Sequence, residues 1–231
     1  MRVLSVLKAF CLQLIYEAVS LNVSNAHGYL SQPAAQYNDP SKMTSYITTV
    51  DANKLFNTHK WDGNPQENSY QYKQLLNEGA IKELKPFVDK YVQGCPMNSL
   101  NEVIKTNGLS SMKWQNNEYR EGFIASHTGP CEAWIDGIKV FSNSDCAENY
   151  KTYPAELPID YSKCKSSSCT FSFYWMALHE PNWQIYKACV LIEGSTNSGG
   201  GSNVINGTSH LINGTYTSED GMEKFNCTLN Q

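Results

Sequence analysis

The sequence predicts an all-β protein, an antiparallel β-sandwich with short helical insertions and disulfides. Its second half carries the prediction, with alternating apolar runs, a two-residue turn between two of them, and cysteines suited to disulfides. The chain has 231 residues, of which 41% are hydrophobic and 12% aromatic, enough for one domain with a substantial core. Its formal net charge of −4 is not the basic footprint of a nucleic-acid-binding protein, so no nucleic-acid partner is expected.

The first 26 residues have the pattern of a secretory signal peptide. Arg2 precedes the mostly apolar run 3–16, and Ser24 and Ala26 are small residues at the −3 and −1 positions of a cleavage site. We therefore expect a secreted, extracellular protein whose mature chain begins at His27. No later apolar stretch approaches the ~20 residues of a membrane helix, so no membrane partner is expected.

Two segments are predicted behind the signal peptide. Residues 27–194 are expected to form one globular domain. Residues 195–231 are rich in Ser, Gly and Asn and lack apolar periodicity, which is typical of a flexible C-terminal tail. This tail contains three N-glycosylation sequons, at Asn206, Asn213 and Asn226.

Two pairs of strands are predicted within the domain. Asp136-Gly137, flanked by apolar residues, indicates a hairpin over residues 134–140. Runs 170–179 and 183–193 predict two strands joined by a turn at Pro181-Asn182. Alternation places two sets of side chains on shared strand faces: Phe171, Phe173, Trp175 and His179 on the first strand, and Gln184 and Tyr186 on the second.

Residues 65–94 are the part of the domain with helical spacing. Glycine weakens a helix interior, and proline lacks the amide hydrogen that an internal turn needs. We therefore expect Gly79 and Pro86 to divide this stretch into short helices.

Seven cysteines follow the predicted cleavage site: Cys95, Cys131, Cys146, Cys164, Cys169, Cys189 and Cys227. In a secreted chain they indicate disulfides, with one cysteine left over. A zinc site is the competing interpretation, but there is no C-x-x-C pair and the spacings are irregular.

His27 has unusual metal-binding potential if it becomes the first residue of the mature protein. Its α-amino nitrogen and its ring Nδ1 could then bind one metal ion together. An α-amino group has a pKa of about 7.7, so proton competition near neutrality is weak. One further imidazole would complete a tetragonal three-nitrogen site, a donor set that favours Cu(II).

Three motifs in order raise the significance of His27: HGYLSQPA at 27–34, IASHTGPCEAWIDG at 124–137 and ALHEPNWQIYKAC at 177–189. Together they resemble the lytic polysaccharide monooxygenases. The second and third resemble stretches of the fungal auxiliary activity family 9 enzymes. The opening motif and the overall layout resemble the pectin-active auxiliary activity family 17. The resemblance implies an immunoglobulin-like, fibronectin III-like β-sandwich.

The resemblance also implies a role for each candidate site residue. His27 would bind copper through its amine and its ring, and His127 would complete this histidine brace. Tyr186 would occupy the axial position through its phenol oxygen. His179 and Gln184 would form hydrogen bonds near the metal, and the shared strand face of Gln184 and Tyr186 agrees with a common site.

In family 9 the cysteine of the third motif is bridged to an upstream one, and this implies a Cys95–Cys189 disulfide. The remaining pairs would then be Cys131–Cys146 and Cys164–Cys169. Cys227 would be the unpaired cysteine.

The activity implied is the oxidative cleavage of glycosidic bonds, most plausibly in homogalacturonan, the polyanionic backbone of pectin. It would require one copper ion per chain, an external electron donor, and hydrogen peroxide or dioxygen as co-substrate. The enzyme is expected to act as a monomer. Net charge does not favour a polyuronate, although a local basic patch could attract one, with possible contributors Lys42, Lys54 and Lys60.

Several alternatives remain at this point. The same chemistry could act on cellulose or xyloglucan, or the protein could bind copper without catalysis. It could also be a binding or adhesion module in which His27 is incidental. Glu118, Glu121 and Glu132 flank His127, but nothing marks them as the acid–base pair of a glycoside hydrolase. His59 and His210 match no motif and are expected to be bystanders.

Overall fold

The computed structural model describes residues 27–194. The strands are β1 (Tyr29–Gln32), β2 (Gln36–Tyr37), β3 (Thr48–Asp51), β4 (Asn98–Ser99), β5 (Val103–Ile104), β6 (Ser111–Gln115), β7 (Cys131–Ile135), β8 (Ile138–Asn143), β9 (Ala155–Pro158), β10 (Ser168–Ala177) and β11 (Asn182–Glu193). The α-helices are α1 (Ala52–Leu55), α2 (Pro65–Asn77), α3 (Leu84–Val88) and α4 (Cys146–Asn149), with 3-10 turns at Pro40–Lys42 and Tyr161–Lys163. Within this part of the chain, no helix has both the length and the apolar character needed to cross a bilayer. The predicted signal peptide, the predicted tail with its sequons, His210 and Cys227 lie outside the described residues.

Two antiparallel sheets form the body of the protein. The small sheet has the strand order β1-β6-β9, and the large sheet has the order β3-β11-β10-β7-β8, with the short β5 added in parallel to β11. Strands β2 and β4 form a separate pair. The fold is therefore the predicted all-β class, an immunoglobulin-like antiparallel β-sandwich.

The first core lies between the two sheets. Leu30, Met112 and Trp114 of the small sheet are buried in one cluster with Phe173 and Trp175 of the large sheet. Each such side chain contributes roughly 1.5–3 kcal/mol when it leaves water. Phe173 and Trp175 point to the same side because strand residues alternate, which confirms the shared face predicted for β10.

A second core covers the opposite face of the large sheet. Tyr174 and Trp183 alternate with the residues of the first core and pack against Tyr72, Leu75 and Leu84 of α2 and α3. The helical stretch is thus more than a set of surface insertions, because it covers the outer face of β10 and β11 around Tyr174 and Trp183. The strands are buried on both faces as a result.

The boundaries of the helices differ in part from the prediction. Helix α2 begins with a capping box, in which Asn64 and Glu67 exchange hydrogen bonds of 2.9 Å with each other's backbone amides. The chain leaves the helix at Gly79, whose φ of +73° suits glycine, as predicted. Pro86 does not break the next helix, contrary to the prediction. It lies in the first turn of α3, where no backbone partner for its nitrogen is required.

Both predicted hairpins are present. Asp136 and Gly137 join β7 to β8, and β10 pairs with β11 from Ser168↔Glu193 to Ala177↔Gln184. One detail is wrong: β10 ends at Ala177, so His179 lies in the connecting turn and not on the strand face shared by Phe173 and Trp175. The pairing of the two strands does not continue through the turn, because Pro181 has no amide hydrogen to donate to the hydrogen-bonded ladder.

Three disulfides crosslink the domain, at Cys95–Cys189, Cys131–Cys146 and Cys164–Cys169, with Cα–Cα distances of 6.0, 5.9 and 5.7 Å. All three expected pairs are confirmed. Each is worth about 2–4 kcal/mol by restricting the unfolded chain. Disulfides of this kind persist in oxidising compartments.

Candidate metal centre

His27 is anchored at the edge of the small sheet, just before β1. The side-chain Nδ2 of Asn116 donates a 2.6 Å hydrogen bond to the carbonyl oxygen of His27. Gly28 packs against the indole of Trp114 so closely that any Cβ at this position would overlap the ring. The backbone next to His27 is therefore fixed on two sides.

His127 lies in the loop between β6 and β7, and the following residues hold this loop in place. The hydroxyl of Thr128 donates to the carbonyl oxygen of Pro65 at 2.7 Å, and the amide of Gly129 donates to Asp145 Oδ1 at 3.1 Å. Gly129 has a φ of +148°, and a Cβ at this position would overlap the Met176 carbonyl oxygen. Only glycine tolerates this backbone, which explains the glycine of the His-x-Gly-Pro motif.

The other three candidate residues lie at the tip of the β10–β11 hairpin. The phenol of Tyr186 donates to Gln184 Oε1 at 2.8 Å. The amide nitrogen of Gln184 lies 3.4 Å from His179 Nε2 and 3.2 Å from Glu180 Oε1. Tyr186 and Gln184 share one strand face, as predicted, and the chain turn adds His179 to the same network.

The five predicted side chains converge at one end of the sandwich. The ring centroids of His27 and His127 are 5.5 Å apart, and those of His27 and Tyr186 are also 5.5 Å apart. His179 stacks on His127 with a centroid distance of 3.8 Å. Gln184 joins the group through its contacts with Tyr186 and His179. Residues from three separate parts of the sequence therefore meet in one place.

The two imidazoles are close enough to share one metal ion. Two rings on opposite sides of an ion, each with a metal–nitrogen bond near 2.0–2.1 Å, have centroids roughly 6 Å apart. Ser126 Oγ lies 3.0 Å from His127 Nδ1, which leaves Nε2 as the ring nitrogen for a metal. Within residues 27–194, no group of three or more His, Cys, Asp or Glu side chains could hold a metal ion. The α-amine predicted for a mature chain beginning at His27 would be a donor of another kind, beside the two imidazoles.

Burial keeps the histidines of the centre neutral. Burial first, and then the nearby His179 and His27, lower the pKa of His127 to about 3. Burial and His179 likewise lower the pKa of His27 from its usual value. Burial raises the pKa of Tyr186, so its phenol stays protonated. Near neutral pH both imidazoles are therefore uncharged, and each has one ring nitrogen with a lone pair available to a metal ion.

His179 contributes an unsatisfied polar atom to the centre. Its Nδ1 is buried and has no hydrogen-bond partner within the described chain, whereas its Nε2 faces Gln184. Buried polar atoms are normally paired, and an orphaned one calls for an unseen partner or a functional reason. This atom could form a hydrogen bond with a small polar ligand.

Sequence reasoning missed three residues of the centre. Asn116 fixes the His27 backbone, Trp175 stacks on Tyr186 at 4.5 Å, and Tyr46 packs edge-on against His27 at 5.8 Å. Tyr46 is 41% exposed, so the centre opens at the protein surface. The alternation predicts only that Trp175 shares a strand face with Phe171 and Phe173, and no local pattern marks Asn116 or Tyr46.

Two of the three lysines suggested as contributors to a basic patch lie next to carboxylates. Lys42 lies 3.7 Å from Asp39, and Lys54 lies 3.0 Å from Asp51, so each charge has a nearby carboxylate. Lys60 is exposed.

The other histidine and the acidic residues have separate environments. His59 stacks on Trp61 and approaches Glu78 at 3.5 Å, in contact with the second core. Glu132 is buried and accepts hydrogen bonds from the Lys85 amide and the Trp134 indole, so it acts as a structural acceptor.

Comparisons with known proteins give only a distant structural likeness. No protein-family model matches the chain, and no curated protein matches it. Among solved structures, the neutron crystallographic structure of a Jonesia denitrificans lytic polysaccharide monooxygenase is similar with a TM-score of 0.32 and 13% identity. The match covers 73% of this chain and 100% of that one. At this distance the neighbour assigns neither a family nor a substrate, and the functional argument depends on the residues of the centre.

Proposed function

We propose that this protein is a secreted, copper-dependent lytic polysaccharide monooxygenase whose substrate is homogalacturonan. The observation that carries the proposal is the convergence of His27 and His127, 5.5 Å apart between ring centroids, with Tyr186 beside them. These residues come from the three motifs that resemble this enzyme class. The three disulfides support passage through an oxidising compartment.

Copper would be held by the ring and the free α-amine of His27 and by Nε2 of His127. Neutral imidazoles and a tetragonal nitrogen set favour Cu(II), the tightest-binding ion of its divalent series. Once reduced, the metal would supply the one-electron chemistry with dioxygen or hydrogen peroxide that breaks a sugar C–H bond.

The chain's own residues would orient this chemistry. Because the Tyr186 proton is donated to Gln184, the phenol oxygen keeps its lone pairs and could make a weak contact with the copper ion. Gln184 in turn fixes the ring of His179, whose unpaired Nδ1 can form a hydrogen bond with a small oxygen ligand. Trp175 packs against Tyr186 and excludes water from behind the centre.

A copper-binding protein without catalysis is the main alternative. An inert site is expected to be closed, whereas this centre is flanked by the exposed ring of Tyr46. Such an inert protein would also have no need of the hydrogen-bonded pair Gln184 and His179. Both observations favour an active centre that meets a polymer at the protein surface.

Replacing Tyr186 by phenylalanine should leave copper bound, because the phenol is at most a weak ligand. The ring would still stack on Trp175, but Gln184 would lose its hydrogen-bond donor. We expect the copper affinity measured by calorimetry to stay within about threefold of wild type, because the substitution removes a contact worth no more than one hydrogen bond. Loss of stoichiometric copper binding in this variant would contradict the secondary role of Tyr186.

The activity itself is tested by mass spectrometry of soluble products. Copper-loaded protein beginning at His27 would be incubated with ascorbate and, in parallel, with polygalacturonan, cellulose or xyloglucan. Oligogalacturonides with oxidised ends would support the proposal, and oxidised products from the neutral polymers alone would support the same chemistry on another substrate. Unoxidised oligomers would indicate a hydrolase or lyase and contradict it. Tight copper binding without products from any polymer would favour the inert protein.

A further inference from the structure

The small sheet brings three loops together at the end where His27 lies. Strand β1 begins beside the end of β6, since Tyr29 pairs with Gln115, and β9 begins there too, since Ala155 pairs with Trp114. The turn after β6, residues 116–121, and the segment before β9, residues 150–154, are therefore neighbours of His27. We define the side chains of Tyr119, Arg120 and Tyr153 in these two loops as the arginine–tyrosine patch.

Asn116 ties this patch to the metal centre. Its Nδ2 donates to the His27 carbonyl oxygen, and its Oδ1 accepts hydrogen bonds from the amides of Glu118 and Tyr119 at 2.9 and 3.3 Å. The turn is closed by backbone hydrogen bonds between Asn116 and Glu121. One side chain thus fixes both the backbone of His27 and the start of the turn that carries Arg120.

The second loop is held against the first. The Tyr153 hydroxyl donates to Asn117 Oδ1 at 2.9 Å, and Asn117 Nδ2 donates to the Tyr29 hydroxyl at 2.8 Å. Gly122 contacts the Thr152 carbonyl so closely that a Cβ would overlap it. The rings of Tyr119 and Tyr153 remain 42% and 39% exposed, although the loops beneath them are fixed.

Arg120 is the feature that fold stability does not explain. It is the sole arginine of residues 27–231, and its φ of +54° is a conformation that side-chain-bearing residues rarely adopt. Its guanidinium lies 5.9 Å from the centroid of the Tyr153 ring and makes no ion pair within the described chain. Strained residues persist where the surroundings enforce them and often mark functional sites.

We propose that the arginine–tyrosine patch is a subsite for an acidic sugar, in which Arg120 recognises the carboxylate of a uronate and the exposed tyrosine faces support its ring. Guanidinium groups match carboxylates with two parallel hydrogen bonds, and they retain this ability when they stack on an aromatic face. The inference rests on the proposed function and names the residue that would select a polyuronate over a neutral glucan.

Two carboxylates of the same turn set the limits of this recognition. Glu118 and Glu121 are exposed in the same turn as Arg120. They oppose the general attraction of a polyanion, so the patch selects by direct contact at short range. Affinity should accordingly depend on the presence of individual sugar carboxylates more than on total charge.

Binding of oligogalacturonate and of its methyl ester to the metal-free protein tests the proposal without using activity. Wild type should prefer the free acid, and Arg120→Gln should weaken binding of the acid about tenfold while leaving the ester unchanged, as expected for loss of a charge-assisted contact. Lys163→Gln is the matched control, because it removes the same charge at the opposite end of β9. Arg120→Lys should restore only part of the affinity, since lysine lacks the planar fork.

Equal losses in Arg120→Gln and Lys163→Gln would reduce the effect to net charge and overturn the subsite. An unchanged acid-to-ester preference in Arg120→Gln would overturn it too, as would a wild type that binds neither ligand. The outcome is separable from that of the proposed function. Oxidised oligogalacturonides with no effect of Arg120→Gln on affinity would leave the function standing, and Arg120-dependent binding without oxidised products would leave the subsite standing.

Discussion

Replacing His127 by alanine is expected to abolish stoichiometric copper binding at micromolar concentrations. The ring centroid of His127 lies 5.5 Å from that of His27. His127 would supply one of three nitrogen donors, and the other two are the ring and the amine of His27. Burial keeps it neutral, with a pKa of about 3, so no proton competes near pH 7. In calorimetric titrations of the protein beginning at His27, the copper affinity should be at least about a hundredfold weaker than that of wild type. Substitution of residues that only orient a metal ligand already costs up to about this much affinity.

His59→Ala is the control for this experiment. It removes another partly buried histidine, one that stacks on Trp61 away from the centre. Copper binding should be preserved in this variant. If His127→Ala folds normally by circular dichroism and still binds one copper ion with wild-type affinity, the ligand assignment is wrong.

The second large effect concerns Gly129, which supports the His127 loop. Alanine at this position would place a Cβ into the Met176 carbonyl oxygen, at a φ of +148° that side-chain-bearing residues avoid. The Met176 backbone cannot retreat freely, because its amide is bonded to the Pro130 carbonyl oxygen at 3.0 Å. We expect a loss of about 3 kcal/mol or more in the free energy of unfolding, measured by denaturant titration of the metal-free protein.

Gly137→Ala is the matched control for this substitution. Gly137 lies in the β7–β8 turn, and nothing is within 4 Å of a Cβ added there. Its change in unfolding free energy should stay within about 1 kcal/mol. Equal stability of the two alanine variants would show that the loop before β7 rearranges easily, and that Gly129 does not fix the position of His127.

The parts of the fold that could be predicted depend on short-range patterns. The alternation in β10 and β11 placed Gln184 and Tyr186 on one face, and Asp136-Gly137 marked a hairpin, because strand period and turn chemistry are local properties. The helical layer over the large sheet was not foreseen. Its spacing was visible, but only tertiary packing against Tyr174 and Trp183 shows what it covers.

The candidate site divides in the same way. His27, His127 and the hairpin residues were selected from motifs, but their approach in space depends on β1, the loop before β7 and the hairpin tip meeting at one end of the sandwich. Asn116 left no signal, since its bond to the His27 carbonyl spans 89 positions and follows no period. Arg120 likewise gains meaning only from its backbone conformation and from Tyr153.

The proposed function depends on a free amine at His27, which would complete the copper site and enable oxidative cleavage. It is tested most directly by comparing two copper-loaded proteins, one beginning at His27 and one that retains Ala26, in reactions with polygalacturonan and ascorbate. Mass spectrometry should detect oligogalacturonides with oxidised ends from the first protein alone, because the second has no free amine on His27. Equal amounts of oxidised products from both proteins, or unoxidised oligomers from both, would contradict the account.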